Sequence, residues 1–277
     1  MTVPLLPGIA PLAERYDGFI LDLWGVLHDG RHPMPGALDA LAHLREAGKR
    51  MVILSNAPRR AASVIRRITE IGIAPALYDA LLSSGEAAWQ WLAAGKAPGP
   101  HLYPIMASRD GDMLASVPAR AVQRIAEADF ILNTGVESAA DSVEDFEEVL
   151  TAGVGRGLLM VCANPDLMVI HAGKPEICAG ALALRYEELG GRVQYFGKPH
   201  APIYDTCLGL LAIADRRRIL AVGDSLRTDI AGARAAGIGS LLVLGGIHQE
   251  ELTGGDLETV VRRAGVRPDA AVPSFRW

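Results

Sequence analysis

Four polar positions stand where apolar runs end, and their side chains suit one kind of chemistry. Asp22 follows "FIL" in "DGFILDLWGVLHDG", Ser55-Asn56 closes "MVILSN", Lys198 follows "QYFG", and Asp224 closes "RILAVGD" with Asp229 five residues later. An aspartate inside an apolar run is costly to bury unless its charge is answered. Three carboxylates gathered at one edge would repel one another without a cation. Hard oxygen donors of this kind select Mg2+, which keeps several waters and takes substrate phosphate as well. Lys198 adds a compact positive charge suited to phosphate. Ser55 offers a hydroxyl, and N–H groups at the start of a helix near Pro58 add donors. A carboxylate that must approach an anionic phosphoryl group needs such surroundings, and covalent catalysis through an aspartyl-phosphate is the chemistry they predict. Helix capping is the plainer alternative for the acids, and Thr228-Asp229 before "IAGARAAG" suits an N-terminal cap. It does not account for Asp22, which lies within "FILDLW".

The elements that must position these residues show as strand-like runs alternating with helix-like segments. "FILDLW" precedes "PGALDALAHLREAGK", where Leu38, Leu41 and Leu44 have helical spacing. "RMVILSN" precedes a helix expected from Pro58 to about Ile71, with proline at a first position where its missing N–H costs nothing. "DALLSS" precedes a helix through "EAAWQWLAAG". Such alternation predicts a parallel, doubly wound sheet covered on both faces, with ligands at the carboxyl ends of its strands. "GKAPGPH" reads as a linker. A second alternating set with acidic helices then runs through "HLYPIMA", "ADFILNTGVE", "GLLMVCANPD" and "EICAGALALRYEELGG", and the first texture resumes at "VQYFGKPH". The expected organisation is a core of residues 1–97 and 193–277 with a smaller α/β unit, 98–192, inserted into it. The tail from about Glu250 reads as polar and loop-rich.

Composition narrows the function classes. Half of the 277 residues are hydrophobic and 21% are charged, which fits a packed globule. The formal net charge of −5 and the lack of a long Lys/Arg block argue against a nucleic-acid partner. "RRR" at 216–218 reads as a solvated turn. Three cysteines without a CxxC pair suggest no disulfide framework and fit a reducing, cytoplasmic setting. The first residues lack the basic region of a signal peptide, and no apolar run reaches membrane-spanning length, so no membrane partner is expected.

The four stretches resemble motifs one to four of the haloacid dehalogenase (HAD) superfamily. "PGALDALAHLREAGKRMVILSNAPR", "CANPD", "GKPHAPIYD" and "GDSLRTDIAGARAAGI" are similar to its type-IIA capped branch of small-molecule phosphatases, and the resemblance covers nearly the whole chain. It implies an HAD-like core with an inserted cap that closes over the site and selects the substrate. It implies Asp22 as nucleophile and Mg2+ ligand, the backbone carbonyl of Trp24 and Asp224 as further ligands, and Asp229 acting through water or by orienting Lys198. Ser55 and Lys198 would hold the phosphoryl oxygens and Asn56 would support that loop. Asn164 of "CANPD" and the loop 167–176 would face the leaving group. The substrate implied is a small phosphorylated metabolite, and since capped relatives often pair through the cap, a homodimer is the assembly suggested.

One position departs from the pattern. Family phosphatases carry a second aspartate where this chain has Trp24, and that aspartate protonates the leaving oxygen and then activates water. General acid–base help is worth about 10²–10⁴-fold. Three readings stay open: a slow or leaving-group-selective phosphatase, a phosphate- or ligand-binding protein with little turnover, and a dehalogenase-type hydrolase. His28 and Asp29 lie near enough in sequence to be considered as substitute proton carriers.

Overall fold

β1, Gly18–Leu21, is buried along its whole length and pairs in parallel on both sides. An unbroken apolar run suits such a central strand, which meets no water on either face. The structure, a computed structural model, describes residues 2–171, 174–246 and 256–277. In chain order its other strands are β2 Arg50–Ser55, β3 Ala80–Ser83, β4 His101–Ile105, β5 Arg120–Ala121, β6 Phe130–Asn133, β7 Leu159–Cys162, β8 Met168–His171, β9 Lys174–Ile177, β10 Arg192–Tyr195, β11 Ile219–Gly223, β12 Gly239–Val243 and β13 Ala270–Val272.

The chain divides into two compact units. The first comprises 1–55, 65–82 and 198–277, and the second 56–64 and 83–197. The first unit carries a six-stranded sheet in the order β13-β12-β11-β1-β2-β3. The strand order turns back between β1 and β11, which are far apart in sequence and adjacent in space. Register places Leu21 opposite both Val222 and Ile53, so the residues after β1, β2 and β11 emerge together at one edge. An open parallel sheet binds ligands at this kind of switch point. The helix Ala37–Glu46 is entered through Gly36 at φ +83 and buries Ala37, Ala40, Leu41 and Leu44, a stripe of helical period.

The second unit has its own five-stranded parallel sheet, β10-β7-β6-β4-β5, and an antiparallel hairpin of β8 and β9. Its division from the first unit differs from the expected boundaries at 97/98 and 192/193. The helix Ser84–Ala93 packs Ala88 and Leu92 on Leu102, Phe130, Leu132 and Val161, so it belongs with the second unit. "GKAPGPH" is then a turn inside that unit.

The tail also differs from expectation. Residues 247–255 lie outside the described residues. Beyond them the chain forms the helix Leu257–Ala264 and then β13, which pairs with β12 at Val243 and Val272. Val261, Val266 and Ala271 bury themselves against Val3, Leu226 and Ile230, contacts from distant parts of the chain. Arg218 of the "RRR" run is likewise more than a solvated turn, since its guanidinium donates two bonds to Asp17, at 2.7 and 2.6 Å. Among the described residues no helix is long and apolar enough to cross a membrane.

Candidate active site

Asp22 stands one residue beyond β1, buried, with its N–H donating to the Val222 carbonyl at 2.8 Å. Asp224 stands one residue beyond β11. Asp229 follows within a π-helical turn, Leu226–Ile230, in which Ile230 N–H reaches back to the Ser225 carbonyl at 3.1 Å. Such wide turns recur at functional sites. Ser225 caps this turn, its hydroxyl accepting from Thr228 N–H at 3.3 Å. The Thr228-Asp229 cap considered from sequence is therefore replaced by a Ser225 cap, and the Asp229 carboxylate turns inward to accept from Ser225 N–H at 3.2 Å. Tyr204, which sequence reasoning passed over, supports the turn from below by donating to the Asp229 carbonyl at 3.1 Å.

One carboxylate oxygen from each of Asp22, Asp224 and Asp229 lies within 4.8 Å of the others, and all three residues are buried. Glycines make this crowding feasible. A Cβ on Gly25 would lie 2.3 Å from Asp224 Oδ2, one on Gly246 2.0 Å from the same atom, and one on Gly223 2.0 Å from Asp229 Cγ. Gly25 also has φ +77, a conformation in which other residues are strained. The Trp24–Gly25 peptide thus runs beside the Asp224 carboxylate.

Lys198 reaches into the same space. Its Nζ lies 2.5 Å from Asp22 Oδ1 and 2.7 Å from Asp229 Oδ1. Burial raises Asp229 above the usual carboxylate range, with Lys198 opposing and the Asp22 charge adding to the rise. Among the described residues three buried carboxylates gather around the Lys198 ammonium, and holding that much negative charge together away from water is expensive. Hard oxygen donors closely spaced and walled by glycine fit a hard divalent cation. Ser55, the last residue of β2, is buried at the same sheet edge.

Comparison with known proteins agrees with this geometry. A haloacid dehalogenase-like hydrolase model matches residues 19–130, and an HAD-hydrolase-like model matches residues 195–277. The crystal structure of a hydrolase of the haloacid dehalogenase-like family from Brucella suis 1330 is similar at a TM-score of 0.87 and 30% identity, covering 98% of this chain and 99% of that one. The chain belongs to the haloacid dehalogenase-like hydrolase family. The D-glycerol 3-phosphate phosphatase of Mycobacterium tuberculosis (strain ATCC 25618 / H37Rv) is 32% identical over 239 residues, 86% of this chain and 65% of that relative, so this chain spans less than two thirds of that relative's length. A crystal structure of the glycerol phosphate phosphatase from Mycobacterium tuberculosis in complex with magnesium has a TM-score of 0.71 at 26% identity, covering 95% of this chain and 76% of that one.

Against this HAD-like frame the remaining expected residues take distinct places. Asn56 and Asn164 belong to the second unit, where both are buried. Asn56 Nδ2 donates to Asp166 Oδ1 at 2.9 Å, and Asn164 Oδ1 accepts from Asp166 N–H at 3.0 Å. The expected loop 167–176 is largely the β8–β9 hairpin, and residues 172–173 lie outside the described residues.

Trp24 folds its ring over its own loop. Gly30, at φ +92, leaves room for it, since a Cβ there would lie 2.5 Å from the indole edge. His28 meets the indole edge-on at 5.3 Å between ring centroids. Its Nδ1 accepts from Gly30 N–H at 2.7 Å, which puts the ring proton of neutral His28 on Nε2. Burial pushes His28 down to about 4, so the imidazole is uncharged at neutral pH. Asp29 is occupied with its own turn, accepting from Arg31 and His32 N–H groups that lower its pKa. The HAD-like loop therefore puts no charged acid at Trp24, and its two neighbours are engaged locally.

Proposed function

We propose that the protein is a Mg2+-dependent phosphoric monoester hydrolase acting on small phosphorylated metabolites through a phospho-Asp22 intermediate. The observation that carries the reading is the buried cluster of Asp22, Asp224 and Asp229 with Lys198 bridging two of its members. Asp22 and Asp224 would hold the cation together with the Trp24 carbonyl, and Asp229 would stand behind them, orienting Lys198 or acting through water. The cation would supply charge neutralisation at the phosphoryl oxygens.

The chain's own residues then divide the work. An Asp22 carboxylate oxygen attacks phosphorus and the bond from phosphorus to the substrate's ester oxygen breaks. Ser55 and Lys198 hold the phosphoryl oxygens in line as charge builds on them. Water then attacks phosphorus, the bond to Asp22 breaks, and inorganic phosphate leaves. The departing oxygen needs a proton that Trp24 cannot give, so turnover is slow or selective for good leaving groups, by about 10²–10⁴-fold relative to a site with an acid.

A second reading, a phosphate- or ligand-binding protein with little turnover, rests on the same indole and on the local engagement of His28 and Asp29. The dehalogenase reading is less well supported, because a metal-free site would not need the full set of Asp22, Asp224 and Asp229. Steady-state hydrolysis of p-nitrophenyl phosphate with and without Mg2+ tests the proposal. Activity that needs Mg2+ and disappears in Asp22→Asn supports it, an unchanged rate in Asp22→Asn overturns it, and Mg2+-dependent phosphate binding without turnover favours the second reading.

A further inference from the structure

The chain leaves Ser55 and passes directly into the grip of the second unit. Arg59 pairs with Asp110 at 2.8 Å, Arg60 with Glu86 at 2.8 Å, and Ser63 Oγ donates to Asp112 at 2.6 Å. These three ties fasten the stretch leading into and through the first turn of the helix Ala61–Glu70. The tie next to Ser55 has a different form. Asn56 Nδ2 donates to Asp166 Oδ1, and Asp166 is itself seated, its N–H on Asn164 Oδ1 and its carbonyl accepting from Gly180 N–H at 3.1 Å. The other end of the Asn56 amide is enclosed as well. Gly197, at φ +118, would carry a Cβ 2.5 Å from Asn56 Oδ1 and 2.8 Å from Pro165 Cδ.

Asn56 is thus clasped between Asp166 and the Gly197 backbone. Its chain neighbour is Ser55, and the neighbour of Gly197 is Lys198. Both residues assigned to the phosphoryl oxygens therefore adjoin one contact whose charged member, among the described residues, is Asp166. We propose that Asp166 is a positioning residue for the phosphoryl-binding pair: it holds the Asn56 carboxamide against Gly197 and so fixes the backbone at Ser55 and at Lys198. The inference rests on the reading of Ser55 and Lys198 as phosphoryl-holding residues. Its chemistry is simple, because a carboxylate acceptor strengthens an amide N–H bond and sets which way the amide faces.

The test uses the full chain with Mg2+, p-nitrophenyl phosphate as substrate and inorganic phosphate as competing ligand. Misplacing a reacting or binding group by about 1 Å costs up to about a hundredfold in rate, so Asp166→Ala should lower kcat/KM by about tenfold to a hundredfold. It should weaken inhibition by inorganic phosphate in parallel. Asn56→Ala in the Asp166→Ala background should add no further loss, whereas Ser63→Ala, which cuts a neighbouring tie, should leave kcat/KM unchanged. Asn56→Asp sets two carboxylates against each other and should lose activity. Adding Asp166→Asn to it restores an amide–carboxylate pair with the roles exchanged and should recover activity, which a merely structural role would not predict. This pair keeps the test valid if Asp166→Ala fails to fold. Wild-type kcat/KM and phosphate inhibition in Asp166→Ala, or a double variant no better than Asn56→Asp, would overturn the proposal. An inert Asp22→Asn beside an unaffected Asp166→Ala sinks this inference alone, while an active Asp22→Asn sinks the functional reading beneath it.

Discussion

Lys198 Nζ lies 2.7 Å from Asp229 Oδ1, and the wide turn capped by Ser225 is what brings that carboxylate inward to meet it. Side chains of both are almost wholly removed from water, at 4% and 5% exposure. Removing one partner of a buried pair leaves an unanswered charge and costs about 3–5 kcal/mol. Lys198→Met should therefore lower stability by about that amount in urea unfolding without divalent cation, since Asp22 and Asp229 lose the ammonium they share. Added Mg2+ should recover part of the loss by binding the folded state alone. An unfolding midpoint that Lys198→Met leaves in place would show that the cluster is not ionised as described.

A related expectation concerns the glycine walls. A Cβ on Gly246 would stand 2.0 Å from Asp224 Oδ2, so the carboxylate must swing away in Gly246→Ala. Residues that orient a metal ligand are typically worth 10–100-fold in affinity. Titration calorimetry with Mg2+ should show about that weakening in Gly246→Ala. Equal affinity in the two proteins would mean that Asp224 is not a ligand.

Much of this arrangement was legible in the sequence, and the reasons are local. Asp22, Ser55 and Asp224 each end an unbroken apolar run, and in a parallel sheet such runs finish at one edge. Asp229 was legible as an acid near a helix start but not as an inward-facing one, because a π-helical turn leaves no mark in apolar spacing. The helix Ser84–Ala93 looked like part of the core since it follows β3 directly; its true partners, Phe130 and Val161, arrive from far along the chain. β13 has three residues, too few to display a period. The Asp166 clasp on Asn56 spans 110 positions, and no spacing rule connects them.

The edge of β1 far from the site offers a pH test. Asp17 accepts two bonds from Arg218, with Lys49 Nζ at 3.5 Å, and the Arg218 bonds hold its carboxyl below the usual carboxylate range. A depressed folded-state value means that the unfolded chain binds the proton more readily, so this contribution is present above about pH 4 and lost as pH falls. Both side chains are over a third exposed, so solvent screens the pair to about 0.5–1 kcal/mol. Asp17→Asn should be destabilised by that much at pH 7 in urea unfolding, and the gap should narrow as pH falls below about 4. A gap that persists undiminished at pH 3 would assign the effect to packing.

Trp24 carries the sharpest prediction about rate. Without an acid beside the ester oxygen, the leaving group must bear its own charge, so hydrolysis should slow steeply as the leaving group becomes more basic. Trp24→Asp supplies a carboxyl two residues from Asp22 and should flatten that dependence. Alkyl phosphates should gain most, by up to about 10²–10⁴-fold, and p-nitrophenyl phosphate least. The substitution also removes an indole packed on Gly30 and His28, and some stability will go with it. Trp24→Ala separates the two effects, because it removes the same ring and adds no proton donor. The reading requires a flatter dependence in Trp24→Asp and a parent-like one in Trp24→Ala when kcat/KM is measured across aryl and alkyl phosphates. Equal slopes in all three proteins would mean that the proton already comes from somewhere else.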